Sequence, residues 1–204
     1  MPKITLPPPL LNREIYRQQD DGMAVGRCMT YSLFAIRSFL YAEFYASPSE
    51  IRQEIDSFYR TLSETPREVD LKRLCLQNQL AVEVGGLPAV LESGQVALLK
   101  LAWNKVSLDR IARKLGRPLN RTIYDQIKDD GHDKEDARHF VWIYAIEDGS
   151  YCAWDSFFGG PGGSPIWKST ARQLRLRHSL LEQLNFPDDA SFMGHCYLIR
   201  KKQI

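Results

Sequence analysis

Cys28, His139 and Asp155 are the residues whose types and settings suit one kind of chemistry, attack on a carbonyl group by an activated thiol. Cys28 follows Gly26 and Arg27 and opens a long apolar stretch, CMTYSLFAIRSFLYAEFY. If that stretch is a helix, its first turn offers unpaired N–H groups and the positive end of the dipole, a placement that lowers a thiol pKa. The competing reading is a cysteine serving as a small buried hydrophobe. His139 precedes seven apolar or aromatic residues, an odd station for a histidine unless its ring is used or satisfied at a sheet edge. Asp155 interrupts the apolar run YCAWDSFF, where a carboxylate is costly without a partner; a turn-forming aspartate before Ser156 is the alternative.

A front half of helices and a back half of strands must position these groups. Residues 1–27, with three consecutive prolines, read as an extended N-terminal arm, and residues 28–204 as a single domain. The first helix runs from Cys28 to about Tyr45, too long for a strand. Ser47 or Ser49 caps a second helix reaching about Leu62, and a third follows Pro66 to about Gln79. From Ala81 the pattern alternates, and VALLKLAW reads as a strand ending near Trp103. SLDRIARKLG and TARQLRLRHSLLEQL have helical periodicity, and HCYLIRK closes the chain as a strand. The fold class is therefore α+β, a helical front lobe whose first buried helix packs on an antiparallel sheet.

HFVWIYAI and YCAWDSFF form a hairpin separated by Glu147, Asp148, Gly149 and Ser150. Positions 139 and 155 share a face only if the loop has an odd number of residues. A three-residue loop of Glu147, Asp148 and Gly149, with Gly149 left-handed, meets that condition. It sets Val141 opposite Asp155 and His139 diagonally across, roughly 7 to 8 Å away between backbones. A two-residue loop breaks the arrangement. Thiolate, imidazole and a carboxylate fixing the ring would then form one unit.

The order Cys28, His139, Asp155, their separations, and the block W-D-S-F-F-G resemble the papain-like cysteine peptidase superfamily, and within it the YopT-like effector cysteine peptidases. The resemblance touches three short blocks. It implies a papain-like fold, a Cys-His-Asp triad, no cofactor, and a bacterial effector or toxin that cuts a target protein in a host or competitor cell. The same triad also serves cell-wall amidases, glutamine deamidases and acyltransferases, since all pass through a thioester. One departure stands out: papain-like enzymes set an oxyanion-binding glutamine about six residues before the cysteine, where this chain has Gly22. Gln19 and Gln18 are the nearest substitutes. A chain that kept the fold without turnover, a binding module, is the reading from a different class.

The remaining signals narrow the field. Of 204 residues 44% are hydrophobic, and 27 Lys+Arg against 25 Asp+Glu give a formal charge of +2. That balance is too even to track a nucleic-acid backbone. Cys28, Cys75, Cys152 and Cys196 form no C-x-x-C pair, which argues against a zinc ribbon or disulfide scaffold and for synthesis in a reducing cytosol. His132 lies among acids without ligand spacing, His178 on a basic helix face, and His195 beside Cys196 on opposite sides of a strand. FGGPGG lacks the Lys-Ser/Thr of a phosphate loop. No run approaches the roughly 20 apolar residues of a membrane span, and the proline-broken start is not a signal peptide. Specialised secretion needs no such signal, so an exported effector remains compatible with the sequence.

Overall fold

The computed structural model describes residues 6–12, 15–16, 27–60, 68–102, 138–156, 160–161 and 196–203. Within them four helices, α1 (Pro8–Leu11), α2 (Cys28–Tyr41), α3 (Pro48–Tyr59) and α4 (Glu68–Gln77), accompany six strands. The strands are β1 (Leu80–Gly85), β2 (Gln95–Ala102), β3 (Arg138–Glu147), β4 (Ser150–Asp155), β5 (Gly160–Pro161) and β6 (Cys196–Lys201). They make one antiparallel sheet in the order β1-β6-β2-β3-β4-β5. This is α+β architecture with helices gathered on one face of a sheet. The periodic segments SLDRIARKLG and TARQLRLRHSLLEQL lie outside the described residues.

α2 is apolar nearly all round because it is wedged between the sheet and the other helices. Eleven of its residues are buried, among them Tyr31, Leu33, Phe34 and Ile36. It ends at Tyr41 and not at Tyr45, since Ala42 adopts the left-handed conformation that stops a helix. α3 starts where a serine, a proline and a glutamate coincide. Ser47 Oγ accepts from the Glu50 N–H at 3.3 Å, Pro48 holds the first helical position, and Glu50 Oε2 accepts from the Ala46 N–H at 2.7 Å. Ile51, Ile55 and Phe58, spaced along one stripe, bury α3 against α2.

Alternation divides the sheet into two faces. Val96, Leu98, Phe140, Trp142, Trp154, Tyr197 and Ile199 join the helices in the main core. Ala97, Leu99, Val141, Ile143, Tyr151, Ala153 and Cys196 make a second cluster on the other face, where Leu87 and Leu91 pack and Tyr151 Oη donates to the Pro88 carbonyl at 2.7 Å. Of the segment expected to be an extended arm, residues 6–12 and 15–16 are described, and their buried apolar side chains enter the main core. The segment contains the single turn α1, and Leu6, Leu10, Ile15 and Tyr16 are buried. Its anchor is polar as well as apolar: Trp154 Nε1 donates to the Leu10 carbonyl at 3.0 Å and Tyr16 Oη to Ser38 Oγ at 2.9 Å.

The β3–β4 hairpin corrects one expectation and meets its consequence by another route. Its loop has two residues, Asp148 and Gly149, both at positive φ (49° and 71°), and Glu147 pairs Ser150. Such a turn follows the twist of the strands better than the three-residue loop expected. On its own it would set Trp142 opposite Asp155. A β-bulge between Ile143 and Ala145 takes up Tyr144 as an extra residue, and beyond it Val141 pairs Asp155.

Candidate active site

Cys28 is the first residue of α2 and is 6% exposed. Arg27, at the N-cap, brings no side-chain cap bond to the helix, although its carbonyl accepts the first helical bond from the Tyr31 N–H at 3.0 Å. The helix start is instead held from the side. The Arg27 guanidinium is buried, 2.8 Å from Asp56 Oδ1 and 5.1 Å from the centre of the Tyr59 ring. Thr30 Oγ1 donates to Tyr59 Oη at 3.2 Å. A buried arginine costs several kcal/mol unless paired, and this pairing fastens the first turn of α2 to the last turn of α3.

One turn beyond Cys28, Ser32 Oγ donates to the Phe140 carbonyl at 3.3 Å. Further along, the Phe39 ring lies 5.4 Å from that of Trp142. Progress along α2 thus matches progress along β3, and the thiol end of the helix lies toward the start of the strand, where His139 is the second residue.

His139 pairs Leu101, and Val141 pairs both Leu99 and Asp155. Register therefore sets positions 139 and 155 on one face, diagonal to each other, as the odd-parity argument requires. Asp155 and its neighbour Ser156 are fully buried. Trp154, next in the strand, points the other way into the main core and is fixed by Leu10, by an edge-on Tyr16 ring at 6.2 Å and by Trp142 at 5.7 Å.

The same register separates the thiol from that pair. Cys28 belongs to the layer packed on the Phe140 and Trp142 face, whereas positions 139, 141 and 155 alternate to the other. Backbone register brings positions 139 and 155 to one face, and the start of α2 lies beside the start of β3; positions 139 and 155 are on the sheet face opposite the one that α2 covers. Gln18, Gln19, His132, His178 and His195 lie outside the described residues.

Two further charged residues, Arg27 and Lys100, flank the site. Arg27 shows in the sequence as a charge directly ahead of an apolar helix, and its partner Asp56 does not. Lys100 is the polar interruption of VALLKLAW; it pairs Phe140, is 9% exposed, and by alternation with Val96 and Leu98 lies on the α2 side. None of the other cysteines opens a helix. Burial pushes the Cys75 and Cys196 thiols up to about 12, and Cys152 is half-buried. All four are free thiols. Among the described residues no group of three or more His, Cys, Asp or Glu could hold a metal ion, and no helix is long and apolar enough to cross a membrane.

Comparison with protein-family models, with curated proteins and with solved structures finds no match to this chain.

Proposed function

We propose that the chain is a thiol hydrolase of the papain-like type, a cysteine peptidase acting on a target protein. The observation that carries this reading is the meeting of the α2 start with the β3 start, through Ser32 and the Phe140 carbonyl, with Cys28 one turn before the first and His139 one residue before the second. In the reaction His139 takes the proton of the Cys28 thiol, and the thiolate adds to the carbonyl carbon of a peptide bond. The Cys28 N–H, in the open first turn, donates to the oxyanion; Gln19 or Gln18 would be the second donor. Collapse of the adduct breaks the C–N bond as the imidazolium protonates the leaving amine. Water, deprotonated by His139, then cleaves the thioester and frees the thiol. Asp155 orients the imidazole. Effector delivery into another cell belongs to the same proposal and follows from the family resemblance alone.

The opposite-face relationship of Asp155 and α2 favours a second reading, a binding module with this fold and no turnover. Alkylation at neutral pH separates the two. Labelling of Cys28 well ahead of Cys75, Cys152 and Cys196 supports the enzyme, and equal or absent labelling supports the module.

A further inference from the structure

The C-terminal halves of α2, α3 and α4 converge on a cleft of about 430 Å³, on the side of α2 away from its thiol end. Arg37 and Tyr41 reach it from α2, Glu54 and Phe58 from α3, Gln77 from α4, and Glu43 from the turn after α2. Each helix C-terminus carries roughly half a negative charge, and side chains of the last turn commonly offset it. Here none of the three helices has a basic residue in its last turn, although Arg60 follows α3 as its C-cap residue. The charged side chains lining the cleft among the described residues are two carboxylates and one guanidinium, so the lining itself is acidic by one charge.

The resident guanidinium is loosely held. Arg37 Nη1 is 3.5 Å from Glu54 Oε2 and 3.3 Å from Tyr45 Oη, and Nη2 is 3.4 Å from Glu43 Oε2, all at the long end for charge-assisted bonds. Tyr45 supplies Glu54 with a proton donor and no charge, because burial, and then its hydrogen bond to Glu54, raise its pKa well above that of an ordinary phenol. The rings of the cleft already take cations from the chain itself. Lys201 Nζ stands 4.9 Å from the Tyr41 ring centre, and the Arg73 guanidinium 5.7 Å from that of Phe58, with Asp70 3.9 Å from Arg73. Both side chains are exposed and can be displaced.

We infer that this cleft binds an organic cation, a guanidinium or alkylammonium group on a short chain such as an arginine or lysine side chain presents. The carboxylates and helix ends hold its charge, and Tyr41 and Phe58 cover its flat or methylene surface. The inference is independent of the thiol chemistry and is read by binding alone.

The test is calorimetric titration of the full chain with agmatine, and with succinate as the anionic counterpart, at low and moderate salt. Saturable agmatine binding that weakens with salt is expected. Glu43→Gln, at an exposed carboxylate, should weaken it about threefold, and Glu43→Gln with Glu54→Gln by about tenfold or more. Arg37→Gln, which removes the competing cation, should strengthen it. An unchanged melting temperature for Glu43→Gln keeps the reading clear of unfolding. Absence of saturable agmatine binding, equal binding to the glutamine variants, weaker binding after Arg37→Gln, or preference for succinate would each overturn the inference.

Discussion

Val141 stands directly across from Asp155 although only Asp148 and Gly149 join their strands, because Tyr144 is accommodated as a bulge. The turn and the bulge each change the pairing parity by one, and together they restore it. Gly149 sits at φ 71°, where a side chain costs about 1 kcal/mol. Gly149→Ala should lower stability by about that amount in urea unfolding, whereas Asp148→Gly should be close to neutral. A silent Gly149→Ala would mean that the turn is not the one described.

Thiol reactivity separates the four cysteines. With Cys75 and Cys196 buried and pushed up to about 12, neither offers thiolate near neutrality. Iodoacetamide at pH 7.5 should modify Cys28, at the helix start, first and Cys152 more slowly, and Cys75 and Cys196 only after denaturation. Mass spectrometry of the digested protein reads the order. Early labelling of Cys75 would contradict the packing of α4.

Those same burials make the fold sensitive to alkali. Folded Cys75 and Cys196 keep their protons to about pH 12, while the unfolded chain releases them near the ordinary value of 9. Tyr144 behaves alike, raised from 10 to about 12 chiefly by burial. Above pH 9 the folded state therefore binds more protons than the unfolded one, and stability falls as pH rises. Melting temperature should decline from pH 9 toward pH 12, less steeply in Cys75→Ala once its own cavity cost is allowed for at pH 7.

The N-terminal segment should behave as core. Tyr16→Phe leaves Ser38 Oγ and the Tyr45 N–H without the Tyr16 hydroxyl and should cost about 1 to 2 kcal/mol. Removing residues 1–16 should cost much more, by uncovering Trp154 and the part of the main core that Leu6, Leu10 and Tyr16 fill. A truncated chain that unfolds at the same urea concentration as the full one would refute this docking.

Catalysis, if the proposal holds, should depend on the thiol and imidazole as one unit. Cys28→Ala or His139→Ala should abolish turnover with the fold retained, and Asp155→Asn should leave a low residual rate. The double mutant Cys28→Ala, His139→Ala should be no worse than either single one. Cys75→Ala and His132→Ala should be nearly silent in activity. Full activity of Cys28→Ala, read for instance as toxicity on expression in a target cell, would end the thiol-enzyme reading.

What the sequence by itself determined is what short-range chemistry controls. A long, mainly apolar stretch marks α2 and its start at Cys28, a serine and a proline mark the start of α3, and two β-rich runs flanking Asp148-Gly149 mark the β3–β4 hairpin. These follow from hydrogen-bond caps, turn geometry and side-chain period, all acting within a few residues. The tertiary structure alone decided the rest. The bulge at Tyr144 answers to packing on both sheet faces, the insertion of β6 between β1 and β2 joins segments far apart in the chain, and Arg27 finds Asp56 only once α3 has folded beside α2. The side of the sheet that receives α2, and with it the separation of Cys28 from the His139–Asp155 face, also depends on which of two apolar faces the helices cover. A sequence in which both faces of β3 are apolar does not encode that choice locally, because either face would lose similar contact with water.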